Sequence, residues 1–95
     1  METNGEARQI RQARHEVLVA LKMMYPASLR GDQVLRMLLA MFPQLKWNRV
    51  KKDLAHLCQK GYVQRIIAQD EDIIWATPWR KRWFRLTSHG AEAAK

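Results

Sequence analysis

Apolar positions along the chain recur first at helical spacing and then at alternating spacing, and the change falls near Gly61. From Glu6 to about Tyr25, the residues Ile10, Val17, Leu21 and Met24 lie near one side of a helical repeat, with Arg8, Arg11, Arg14 and Lys22 largely elsewhere. This spacing predicts a first helix with Asn4 as its N-cap, preceded by a disordered leader over residues 1–5. Pro26 ends it, because proline disfavours the helical conformation in the residue before it. After the connection "PASLRG", with Ser28 or Asp32 as cap, Val34, Leu35, Leu38, Leu39 and Phe42 form the stripe of a second, short helix that Pro43 stops. Met23, Met24, Met37 and Met41 fall near these stripes, where flexible thioethers fill core gaps.

The string "QLKWNRVKKDLAHLCQKGY" predicts a third helix over 44–60. Trp47, Val50, Leu54, Leu57 and Cys58 follow the spacing of a core face. At about 100° per residue the opposite side carries Arg49, Lys52, His56 and Gln59, flanked by Asn48 and Lys60. Gly61 supplies the left-handed position that commonly closes a helix. Beyond it, "YVQRIIA", "DIIWA" and "RWFRL" read as two or three short antiparallel strands, with Phe84 and Leu86 on one face and Trp83 and Arg85 on the other. Pro78 belongs at a turn or edge, and Thr87 caps a last short helix, "SHGAEAAK". The expected fold class is mainly α with a small antiparallel hairpin or sheet, an α+β domain spanning 6–93.

Charge sharpens this picture. Seventeen Lys and Arg stand against nine Asp and Glu, a net charge of +8, which points to a polyanionic partner. The excess lies in two blocks. Residues 44–61 hold five basic groups and one acid, residues 78–89 hold four basic groups and no acid, and the stretch between them is net acidic. Two separate blocks raise the question of whether the fold joins them.

Catalysis finds little support, since the chain has no Gly-rich phosphate loop, no nucleophile–base constellation and no paired metal ligands. His15, His56 and His89 are far apart in sequence, and Cys58, alone, forms neither a disulfide nor a metal site and reads as a buried small hydrophobe. The expectations are therefore a non-enzyme with no cofactor, no metal and no membrane span. The absence of a secretory signal and the single cysteine point to the cytoplasm.

Two strings carry a resemblance. "NRVKKDLAHLCQKGYV" resembles the recognition helix and exit of bacterial winged-helix regulators, and "FRLTSHG" is similar to the strand-to-helix passage that closes the wing in the same proteins. With two amphipathic helices ahead of them, the resemblance covers Glu6 to Ala93. It implies a winged helix-turn-helix, bacterial or phage in origin and acting in transcription regulation. The third helix (44–60) would enter the major groove of double-stranded DNA, and a basic wing (77–85) would lie on the backbone or in the minor groove. In that frame Arg49 and Lys52 are the first candidates for base-edge or phosphate contact, with Asn48 and His56 behind them, while Arg80, Lys81 and Arg82 contact phosphates. Trp79 packs under the wing tip or lies on the sugar-phosphate edge, and Trp83 serves either core or DNA.

Two loops compete for the wing tip, "QDED" at 69–72 and "TPWRKR" at 77–82. An acidic tip repels phosphate, so charge assigns the DNA-facing tip to the second. A homodimer through the first helix or the C-terminal segment is compatible with this reading. The alternative is a winged-helix module that binds a protein partner in a larger assembly, because one fold serves both uses.

Overall fold

The computed structural model describes residues 2–66 and 77–94, with side chains from residue 11 onward. Helix α1, Glu2–Met24, places Ala13, Val17, Leu18, Ala20 and Leu21 on one buried stripe. It begins at Glu2 rather than Glu6, so Asn4 lies inside the helix rather than at its cap. Gly5 lowers helix propensity by only about 1 kcal/mol, too little to break a run with no proline before Pro26. Met23, Met24 and Met41 are exposed at 72%, 44% and 54%, so the expectation that they fill core gaps is wrong for these three; Met37 does pack against the core. Met23 and Met24 are the last two residues of α1, and Met41 lies past the end of α2.

A two-residue strand β1, Leu29–Arg30, follows, and it was not legible in "PASLRG". Helix α2, Gly31–Leu38, is capped by neither Ser28 nor Asp32: Arg30 takes the cap position, and its backbone N–H donates to the Gln33 side chain at 2.9 Å. Helix α3, Trp47–Gln59, buries Val50, Asp53, Leu54 and Leu57. Its exit is the expected glycine turn: Gly61 sits at φ 79°, and the Tyr62 N–H donates to the Leu57 carbonyl at 3.0 Å.

Strands β2, Val63–Ile66, and β3, Trp83–Leu86, pair antiparallel, and β1 pairs antiparallel with the other edge of β3, for the order β1-β3-β2. The register sets Leu29 and Arg65 opposite Phe84 and Val63 opposite Leu86, so the inner face of the sheet closes on the helices with Phe84 and Leu86 buried. Trp83 and Arg85 take the outer face, as alternation predicts. The expected strand "DIIWA", Trp75 and the "QDED" loop lie outside the described residues.

Helix α4, Ser88–Ala93, shows why Leu-Thr-x-x-Gly follows the last strand. The Thr87 hydroxyl accepts from the Gly90 N–H at 3.0 Å and donates to the Gly61 carbonyl at 2.7 Å, joining the exit of α3 to the start of α4. Gly90 lies against the Tyr62 backbone, where a Cβ has no room. The two strings that carried the resemblance, about 25 residues apart in sequence, are thus in direct contact. The observed class, mainly α with a three-stranded antiparallel sheet, is the one expected.

Candidate nucleic-acid interface

The two basic blocks meet. Residues Trp79–Lys81 form a single 3-10 turn that enters β3, and this turn packs against the starts of α2 and α3. The joint is Gly31: a Cβ there would stand 2.7 Å from the Trp47 ring and 2.8 Å from the Trp79 carbonyl. Only a hydrogen at that position lets the first residue of α2 sit between the first residue of α3 and the turn. The Arg80 guanidinium then lies 5.9 Å from the centroid of the Trp47 ring. Trp79 stacks on Phe84 with centroids 5.7 Å apart, so it packs inward.

The stretch 77–82, to which charge assigns the DNA-facing tip, is packed against the helix starts rather than standing clear of them. Its backbone is held over Gly31, and the Gly31 N–H donates to the Arg82 carbonyl at 3.0 Å. Arg82 is bound up in the turn itself: its Nε donates to the Thr77 carbonyl at 2.8 Å, and its guanidinium stacks 4.9 Å from the Trp79 centroid. Arg80 and Lys81 are exposed.

On α3 the solvent face is rotated from the expected one. Asp53 is buried at 1% exposure beside Val50, Leu54 and Leu57, while Trp47 and Cys58 are only partly buried. Centring the core on the buried set turns the open face by roughly 40°, at about 100° per residue. Asn48, Lys51, Lys52 and Gln59 are the exposed residues of this helix, with Lys46 exposed just before it and Lys60 just after. Lys51, which the pattern had left unassigned, joins the candidates, and Arg49 and His56 move to the flank facing α1.

Arg49 has a partner there. Its Nη2 donates to Asp53 Oδ1 at 3.0 Å, and Arg14 of α1 donates Nε to the same oxygen at 3.3 Å. Both arginine side chains keep somewhat more than a quarter of their surface exposed. Asp53 Oδ2 and Arg49 Nε are buried and find no partner among the described residues. Burial, then the positive charges of Arg14 and Lys60, hold the His56 imidazole below its ordinary value, and Asp53 opposes them. Burial pushes the Cys58 thiol up, as for a packed hydrophobe rather than a reactive group.

Against protein-family models, curated proteins and solved structures, this chain finds no match. The interface is thus characterised by its own geometry. Among the described residues, no group of three or more His, Cys, Asp or Glu could hold a metal ion, and no helix is long and apolar enough to cross a membrane. The sequence did contain a signal for Asp53: an acid within an apolar stripe, with an arginine four residues before it, marks a buried helical ion pair.

Proposed function

We propose that this protein is a DNA-binding winged helix-turn-helix regulator, with the exposed row Asn48, Lys51 and Lys52 of α3 facing the major groove and Arg80 and Lys81 on flanking phosphates. The observation that carries the reading is the Arg80–Trp47 contact at 5.9 Å, because it makes one cationic end of two blocks that the stretch 62–77 separates in sequence. An α3 surface with long donors at Asn48, Lys51 and Lys52 suits major-groove entry by the N-terminal half of a helix. The element order, helix, strand, two helices and a strand pair, supports the same reading.

A second reading, docking onto a protein, draws on Met23, Met24 and Tyr25, all exposed. Lys22 beside them donates to the Ala91 carbonyl of α4, which follows the Leu86 end of β3, whereas the basic turn precedes the Trp83 end. The apolar residues therefore stand away from the cationic end, and the two uses are compatible in one molecule.

The test is binding to a random duplex pool across a salt series. Affinity should fall steeply with salt, and Arg80→Ala/Lys81→Ala should reduce the log–log salt slope by about 2 with little change in sequence preference. Lys51→Ala/Lys52→Ala should weaken binding and alter the enriched sequences. No binding at low salt, or indifference to both double variants, refutes the DNA reading.

A further inference from the structure

Resting on the DNA-binding reading, we infer that Asp53 is a positioning residue that presents Arg49 as the guanine-reading side chain of α3. An arginine on a helix surface ordinarily samples many rotamers and gives up that freedom when it binds. Here the loss is made in advance. Asp53 lies one helical turn on, is fixed by 1% exposure, and holds one arm of the Arg49 fork at 3.0 Å. Arg14 of α1 donates to the same oxygen at 3.3 Å, so the carboxylate cannot swing away without giving up its ion pair to α1.

The pairing is more than a tie between helices. Arg14 and Asp53 already link α1 to α3, and a carboxylate shared only for satisfaction offers one oxygen to each arginine. Instead both crowd Oδ1, and Oδ2 is left without a partner among the described residues. The geometry pins Arg49 by one N–H of its five and leaves donors at the partly exposed end of the fork, beside Lys52 three residues on. Two acceptors at fixed spacing suit a fixed planar fork. Guanine presents O6 and N7 in that way, whereas adenine sets an amino donor against it. Lysines at 51 and 52 are point charges without such a fork, so they can meet single acceptors in the groove but cannot read the O6/N7 pair.

The experiment selects duplexes from a random pool with the wild type, Asp53→Asn, Arg49→Lys and Arg14→Met, with thermal unfolding of each protein alongside. Arg49→Lys keeps the charge and removes the fork, so it remains informative if Asp53→Asn folds poorly. The inference expects one guanine column to lose roughly 10- to 100-fold discrimination in both Arg49→Lys and Asp53→Asn, while low-salt affinity for the pool persists. Arg14→Met should lower the melting temperature and weaken that column by less than Asp53→Asn does, because Arg14 steadies Oδ1 whereas Asp53 itself holds Arg49. A uniform loss of affinity with a shallower salt slope would make Arg49 a phosphate contact and overturn the inference. An unchanged column in Arg49→Lys, with only melting temperatures shifted, would make the network purely structural and overturn it also. If the wild type does not bind the pool and the lysine variants are silent, the DNA reading itself fails and takes this inference with it.

Discussion

Replacing Gly31 with alanine tests the joint that brings the two basic blocks together. The added Cβ would meet the Trp47 ring at 2.7 Å, the Trp79 carbonyl at 2.8 Å and the Arg80 Cα at 3.1 Å. Carbon atoms rest comfortably at about 3.5–4.0 Å from their neighbours, so the ring and the turn must each yield by most of an ångström. Overpacking of this kind costs about 1–3 kcal/mol. Alanine recovers at most about 1 kcal/mol of helix propensity, and less at the first position of α2.

The balance is a loss of roughly 1–2 kcal/mol, which for a domain of this size lowers the melting temperature by about 4–15 °C. Thermal unfolding followed by circular dichroism measures the first effect. Duplex binding at a temperature where the variant stays folded measures the second, and it should weaken because the displaced elements are Trp47 and the Arg80 turn. The sign decides the matter: with room at this site, the substitution would raise stability by about 0.4–1 kcal/mol. A higher or unchanged melting temperature together with unchanged binding refutes the joint. Gly61→Ala is the contrasting variant, since Gly61 has open space around it but a φ of 79°. It should lose about 1–2 kcal/mol through backbone strain and leave DNA binding at low temperature intact.

Thr87→Val keeps the side-chain shape but removes both the helix cap and the bond to the Gly61 carbonyl, so urea unfolding should show a loss of about 1–2 kcal/mol. Thr87→Ser retains the hydroxyl and should remain within about 0.5 kcal/mol of wild type; equal losses in the two variants would sink the assigned bonds. His56 has a folded pKa below its ordinary 6.5, so the unfolded chain takes up its proton first as pH falls. Its contribution is present above pH 6.5 and is lost as pH drops through the lowered value. Urea midpoints between pH 7.5 and 5 should therefore decline less steeply in His56→Gln, and parallel curves would argue against the burial and the Arg14 and Lys60 charges as its cause.

Local rules recovered what local chemistry controls. Proline placed the end of α1, Gly61 took the left-handed position at the exit of α3, and Thr87 capped α4, because each acts through its own backbone or a neighbour three residues away. Alternation placed Phe84 and Leu86 inside for the same reason. What escaped depends on contacts distant in sequence. Leu29 and Arg30 become a strand only because the edge of β3 is there to receive them. The apolar stripe alone sets Arg49 on the open face, whereas Asp53 at its side and Arg14 from another helix draw it to the flank. Charge marks 77–82 as the DNA-facing tip without deciding between the two places open to Trp79, whose ring in fact stacks on Phe84 and draws the turn onto the core.

These long-range contacts share a consequence for α3. Asp53 fastens it to α1 through Arg14, Trp47 wedges against Gly31 and the turn, and its exit is held by Thr87 and Gly90 of the last helix. Each fastening draws on a different side or end of the helix, and together they leave open the sector that bears Asn48, Lys51 and Lys52. A helix held this way has little backbone freedom left to lose, and Arg49 is the donor on it whose side chain is already tied in place. The rotation of the open face by roughly 40°, at about 100° per residue, is then the cost of burying Asp53, and it is the same event that sets Arg49, tied to that acid, at the edge of the open row.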